Sequence, residues 1–353
     1  MKIDFSPERW DRVKETYAKW WDGKLDRALV RATAIKADAP AFKGVLSQAN
    51  CHDFSVSAEE IVDGIEYELS RKAFLGDGFP MFSMDAFGPG VLAAFCGGIL
   101  DNSSGSVWFF PDKKREIADI HIEYDSNNVW VRRVKDIYHA ANKRFNGNVL
   151  MGMVDMGGPM DVLATFRGTE DLLLDLYDNP EEVKRVCREI EDCWFEAYND
   201  LNDVLMEKNP GYSDWNGLYS QTPYYILQCD FSYMISPEMF KEFALPGLQS
   251  MADRLDHATY HLDGKGELPH LDMILGIEKL RNIQWVPGAG NPHGIYWLDV
   301  YKKIAASGKD YQIISDVDEM KKIKDVLGGK GMYLDLYFGD EKTAMETIQY
   351  LWD

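Results

Sequence analysis

The second half of the chain alternates short apolar runs with amphipathic helical patterns, and this alternation restricts the fold more than any other feature. "ILQCD" ends an apolar run, and the helical "SPEMFKEFALPGLQSMADRLD" follows, opened by Ser236 and kinked near Pro246. The strand "ATYHLD", the segment "LDMILGIEKL", the strand "NIQWVPG" and the helix "LDVYKKIAAS" continue the rhythm. The strand "YQIIS", the helix "VDEMKKIKDVL" and the strand "MYLDLYFG" complete it. Alternation at this spacing predicts a parallel sheet with helices outside. Roughly eight such strands over ~300 residues suit a closed (β/α)8 TIM barrel of the α/β class better than an open sheet. No low-complexity run or Pro/Ser linker divides the chain, so residues 1–353 are expected to form one domain. Residues 1–28 read as a helical N-terminal extension, with Ser6 and Pro7 opening a helix and Trp10, Val13, Tyr17 and Trp20 or Trp21 along one stripe.

In a barrel of this kind chemistry sits where strands end and the following loops begin. "YHLDG" places His261 and Asp263 two apart at such an end, and residues two apart in a strand share a face. The pair can serve as metal ligands, or His261 as an acid/base with Asp263 fixing its surroundings. The alternative is a hydrogen-bonded pair that only holds the loop. Asp230 ends another strand beside Cys229; adjacent residues face opposite ways, and Asp230 is taken as the inward one and a catalytic candidate. Cys229 is then a small core residue. Asp155, ending "VLMGMVD", is a further mouth carboxylate. Gln284 and Trp285 in "IQWVPG", and Trp215 and Tyr219 in "YSDWNGLYS", are expected to line a substrate pocket, although a core tryptophan is the commoner case. His270 and Asp272 repeat the His-x-Asp spacing but open a helix, where a structural role is expected.

The 58 acidic and 38 basic residues leave a formal charge of −20, which argues against a nucleic-acid or anionic-membrane partner. The first ten residues have no apolar leader core, and no apolar run reaches membrane length. Five scattered cysteines without a CxxC motif indicate neither a disulfide framework nor a zinc ribbon. A reduced, cytoplasmic protein is expected.

"GGPMDVLATFRGTEDLLLDLYDNPEEV", "SYMISPEMFKEFALPGL", "YHLDG" and "IQWVPGAGNP" together resemble the uroporphyrinogen decarboxylase superfamily, which also contains corrinoid-linked methyltransferases. The likeness covers most of residues 150–295 and extends faintly across the chain. It implies the TIM barrel and one of two activities. Decarboxylases of the superfamily grip substrate carboxylates with an Arg-rich motif near the N-terminus. The corresponding "LDRALVRATA" holds Arg27 and Arg31 without that run, and Asp85 stands one residue later than the family's aspartate. The decarboxylases' C-terminal histidine has no counterpart in "MYLDLYFGD". The thiol-methylating branch holds zinc with a His-x-Cys pair and a distant cysteine. Here His261 is retained, Asp263 replaces the cysteine, and Asp335 stands nearest the third position, a harder and less thiophilic set.

The reading favoured by the resemblance is a methyltransferase that moves a methyl group between a small donor and a corrinoid carried on a partner protein. Zinc at His261, Asp263 and Asp335 is a candidate cofactor, and a homo-oligomer is left open. Two alternatives remain. One is a carbon–carbon lyase decarboxylating a small acid or a porphyrinogen, which needs Arg27, Arg31 or Arg167 in the pocket. The other is a non-catalytic ligand-binding barrel.

Overall fold

The computed structural model describes residues 3–41 and 46–353, so Met1 and Lys2 of the N-terminal extension lie outside it. Among the described residues the strands are β1 (Leu29–Ile35), β2 (Lys72–Gly76), β3 (Met81–Phe82), β4 (Ile99–Asp101) and β5 (Trp108–Phe110). They continue as β6 (Leu150–Met151), β7 (Tyr224–Leu227), β8 (His257–Asp263), β9 (Leu280–Val286), β10 (Asp310–Ile313) and β11 (Met332–Phe338). The main sheet has the order β2-β1-β11-β10-β9-β8-β7. All its neighbours are parallel except β2, which runs antiparallel along β1. The protein is thus a mixed α/β fold built on a parallel sheet.

Two shorter pieces extend the order beyond the main sheet. β3 and β6 pair in parallel, and the Met153 N–H donates to the Ser213 carbonyl at 2.9 Å. Beyond Ser213 the bridge to β7 is made by a side chain: the Asp214 carboxylate accepts the Ile226 N–H at 2.6 Å. β4 and β5 form a separate antiparallel hairpin. The expected strand "VLMGMVD" is therefore regular only over Leu150–Met151.

The two faces of the main sheet differ in chemistry, because alternation sends successive side chains to opposite sides. Val30, Tyr260, Leu262, Ile283, Trp285, Ile313 and Leu334 pack into the hydrophobic core. The other face carries Arg31, Thr259, Asn282, Gln284, Gln312 and Tyr333, all buried. Buried polar groups usually find partners, although the Asn282 amide on this face has none. Here Gln284 bonds Gln312 and Asn216, and the Tyr333 hydroxyl donates to the Asn216 carbonyl at 3.1 Å.

The N-terminal helix Pro7–Trp21 opens with proline in its first turn and lays Trp10, Tyr17, Trp20 and Trp21 against the body. Trp21 stacks on His257 at the start of β8 (4.2 Å between ring centres, 4° between planes), and Trp20 meets Tyr333 near the start of β11. The helix therefore covers the end of the sheet where strands begin and leaves the opposite end open. In the second half, Ser236 caps its helix as expected, its Oγ accepting the Met239 N–H. The kink at Pro246 takes the form of a π turn over Phe240–Ala244. No helix among the described residues is long and apolar enough to cross a membrane.

Candidate metal centre at the open end of the sheet

His261 and Asp263 end β8 on one face, as their spacing requires. The structure adds Asp230, which opens the short turn Asp230–Met234 after β7. One ligand atom from each of the three lies within 4.8 Å of the others. His261 and Asp263 are half-buried and Asp230 is exposed. An imidazole and two carboxylates are donors of the kind that bind a divalent ion at ~2.0–2.2 Å.

The tautomer of His261 is settled by its neighbour. His261 and Gln284 are register partners on β8 and β9. The Gln284 amide nitrogen donates to Asn216 Oδ1 at 3.0 Å and Gln312 Oε1 at 2.8 Å, which leaves its oxygen for His261. His261 Nδ1 donates to that oxygen at 2.5 Å. The Nε2 lone pair is then free to bind a ligand, the arrangement by which outer partners orient a metal-binding imidazole. The Trp215 ring stands edge-on against the imidazole, 5.1 Å between centres.

Asp230 is positioned by Asp161, near the start of the helix Pro159–Arg167. Its carboxylate accepts the backbone N–H of Phe231 at 2.7 Å and of Asp230 at 3.2 Å. The close approach depends on Gly158, where an added Cβ would fall 2.2 Å from the Gln228 carbonyl oxygen. Burial, then the adjacent Asp230, pushes the Asp161 carboxyl up, against the backbone N–H groups of Phe231, Asp230 and Gly158, which lower it. Asp230 is itself raised, by burial first; His261 lowers it and Asp263 raises it. Asp155 accepts the Gly157 N–H at 3.0 Å and is pushed up to about 7 by burial, with Asp230 and Asp85 adding to the shift. Burial also takes Glu267, just beyond Asp263, to about 10. Carboxyl groups crowded this closely resist ionising together, and a bound cation relieves the crowding.

A cavity of about 380 Å³ shares the Trp215 wall. Arg31, Lys72, Asp85, Asp335 and Tyr337 supply its polar lining, and Met81 and Phe82 part of its apolar lining. Asp335 does not belong to the group of three: its carboxylate is held by the Arg31 guanidinium at 2.5 Å and accepts the Tyr337 hydroxyl. Asp85 bonds Ser83 at the cavity's edge.

Two other expected pocket residues lie elsewhere. Trp285 points to the helix side of β9, where its ring meets Trp297 edge-on at 5.1 Å. The alternation that turns Gln284 inward turns Trp285 outward. Tyr219 is packed among Trp10, Tyr17 and Phe79 at the covered end, its hydroxyl bound to the Pro210 carbonyl. His270 is buried, stacked on Phe240 and bonded to the Ser232 carbonyl, the structural role expected of it. The sequence reading missed Asp161 and Asp214. The "DVLATF" and "SDWN" stretches carry no signal beyond an acidic residue near a loop, and only the fold brings those carboxylates to backbone N–H groups.

No known family profile and no curated protein matches the chain. A solved structure of a methyltransferase from Methanosarcina mazei has a similar fold, with a TM-score of 0.62 over 96% of each chain at 12% sequence identity. At that identity the likeness concerns the fold alone.

Proposed function

We propose that this chain is a metal-assisted methyltransferase on a (β/α)8 barrel, moving a methyl group between a small donor and a corrinoid carried by a partner protein. The carrying observation is the cluster of Asp230, His261 and Asp263, with His261 Nδ1 tied to Gln284, beside the Trp215-walled cavity. Barrel closure is supported by the ladder fragments through β3, β6 and Ser213 and by the Asp214 bridge to β7. Fold likeness to a methyltransferase adds a prior and no more.

Asp230, His261 Nε2 and Asp263 would hold zinc or another divalent ion, two carboxylates and one imidazole making a set suited to an oxygen or nitrogen donor. When bound, the ion supplies Lewis-acid polarisation of the heteroatom that carries the methyl group. The chain's own residues do the remaining work. Gln284 fixes the imidazole, Asp161 fixes the loop of Asp230, and the cavity behind Trp215 accommodates the donor. A groove of about 700 Å³ runs from Asp230 past Trp108, Phe110 and Met234, whose exposed apolar side chains give the corrinoid-bearing partner a surface to meet.

The decarboxylase reading is favoured by one observation, that Arg31 and Lys72 line the cavity. It is weakened because Arg31 is neutralised by Asp335, Arg27 pairs with Asp77, and Arg167 pairs with Asp175 and Glu116.

Elemental analysis of wild type and His261→Ala, each dialysed against zinc, tests the proposal. About one ion per chain, lost in the variant, is expected of a three-ligand site. No ion in either protein removes metal-assisted methyl transfer.

A further inference from the structure

We propose that the cavity behind Trp215 takes a small monocarboxylate, whose anionic group is anchored by Lys72. This rests on the function proposed above and adds to it the chemical class of the methyl donor. Strand register places the lysine. β1 and β2 are antiparallel, with Arg31 opposite Gly76, Thr33 opposite Phe74 and Ile35 opposite Lys72. β1 and β11 are parallel, with Arg31 opposite Asp335 and Thr33 opposite Tyr337. Paired residues share a sheet face, and so do residues two apart along a strand. Lys72 therefore lies on the face of Arg31, Thr33, Phe74, Asp335 and Tyr337, and all of these line the cavity.

The other charges of the lining are engaged. Arg31 holds Asp335 at 2.5 Å, Glu68 accepts the Leu46 N–H at 3.2 Å, and Asp85 accepts the Ser83 hydroxyl. Lys72 is half-buried and, among the described residues, makes no hydrogen bond or ion pair. Glu68 and Asp335 lie near enough to act on its charge, but neither touches it. The Thr33 hydroxyl is likewise without a partner among the described residues. Arg31 Nε and Asp335 Oδ1 are unpartnered but sealed inside the protein, whereas the Lys72 ammonium and the Thr33 hydroxyl remain accessible. Two donors on one face match the two oxygens of a carboxylate. A dianion would meet Glu68, Asp85 and Asp335 with only one free cation to offset them, so a single charge is the fit. The remaining wall includes Leu69, Phe74, Met81 and Phe82, which suit a short hydrocarbon body. Trp215 closes the wall and stands against His261, so the anchor and the metal centre share one cavity.

The probes are γ-methoxybutyrate and γ-methoxybutyramide, alike in length and different in charge, with a flexible chain that imposes no fixed span. Calorimetric titration of the full chain, with and without added zinc, is expected to show the carboxylate bound about tenfold more tightly, as for a hydrogen bond to a charged group. Lys72→Met should bind the two alike in both conditions, and Lys72→Arg should keep the preference. Lys72→Met retains the apolar stem and removes only an unpaired charge, so its melting temperature should not fall below that of wild type. Failure of wild type to bind the carboxylate overturns the inference, as does equal binding of the two probes or a preference that survives in Lys72→Met. Loss of carbon dioxide from the bound probe, followed by NMR, overturns the anchoring role. Elemental analysis of the same samples separates the two claims. A Lys72-dependent preference in a chain that holds no ion keeps the carboxylate site and removes the metal-assisted function; an ion without the preference does the reverse.

Discussion

His261 Nδ1 and Gln284 Oε1 lie 2.5 Å apart on adjacent, register-matched strands, which leaves Nε2 as the ring nitrogen without a partner in the group that also holds Asp230 and Asp263. This contact converts a His-x-Asp spacing into an oriented donor set. Gln284→Leu removes the acceptor and should weaken zinc binding by about 10–100-fold, the usual effect of losing an outer partner of a metal-binding histidine. Competition with a chromophoric chelator measures it. Unchanged affinity would mean that Gln284 does not orient the ring.

Asp161 and Gly158 hold the Asp230 loop in place from a different helix. Asp161→Ala leaves the N–H groups of Asp230 and Phe231 without their acceptor, costing ~1–3 kcal/mol. It should lower zinc affinity while keeping all three ligands. Gly158→Ala places a methyl 2.2 Å from the Gln228 carbonyl oxygen, and the backbone must move. The expected result is a drop of ~1–3 kcal/mol in unfolding free energy, as for other overpacked sites, together with weaker metal binding. Urea unfolding and metal titration of both variants provide the check.

Arg31 and Asp335 form a nearly buried ion pair in the cavity wall. Removing one partner of such a pair strands the other charge and costs ~3–5 kcal/mol, whereas replacing both with apolar residues is often neutral. Arg31→Met alone should therefore destabilise the fold strongly, and Arg31→Met with Asp335→Leu should restore most of the loss. A double-mutant cycle by chemical denaturation measures the coupling; additive losses would count against a buried pair.

Stability should fall as pH rises through neutrality. Asp214 is fully buried; burial, opposed by the Ile226 and Asn216 N–H bonds, raises its carboxyl to about 7. A folded-state value above the unfolded one means that the native chain keeps its proton longer. The associated stability is complete below the unfolded value near 4 and is lost as pH passes 7. Asp155, at about 7, acts in the same direction. The melting temperature should be lower at pH 8 than at pH 5, with a shallower slope in Asp214→Asn. An unchanged slope in the variant would assign the effect to other groups.

Much of the frame was legible because it follows from local rules. Apolar runs alternating with amphipathic helices specify parallel strands under a helix layer, and that sheet is present from β7 to β1. Ser236 capping, the disturbance at Pro246 and the shared face of His261 and Asp263 each depend on residues within a few positions of one another. The same periodicity could have separated Gln284 from Trp285, since adjacent strand residues cannot both face the site.

What only tertiary structure decided is every relationship that spans the chain. Asp230, 31 residues before His261, joins it, whereas Asp335 is claimed by Arg31 from the other end of the sequence. Asp214 accepts the Ile226 N–H of β7, Asp161 holds a loop 69 residues away, and Tyr219 goes to the covered end beneath the N-terminal helix. Spacing along a strand determines which way a carboxylate points. Which charge or N–H it meets depends on where the fold brings distant loops together, and no local pattern records that.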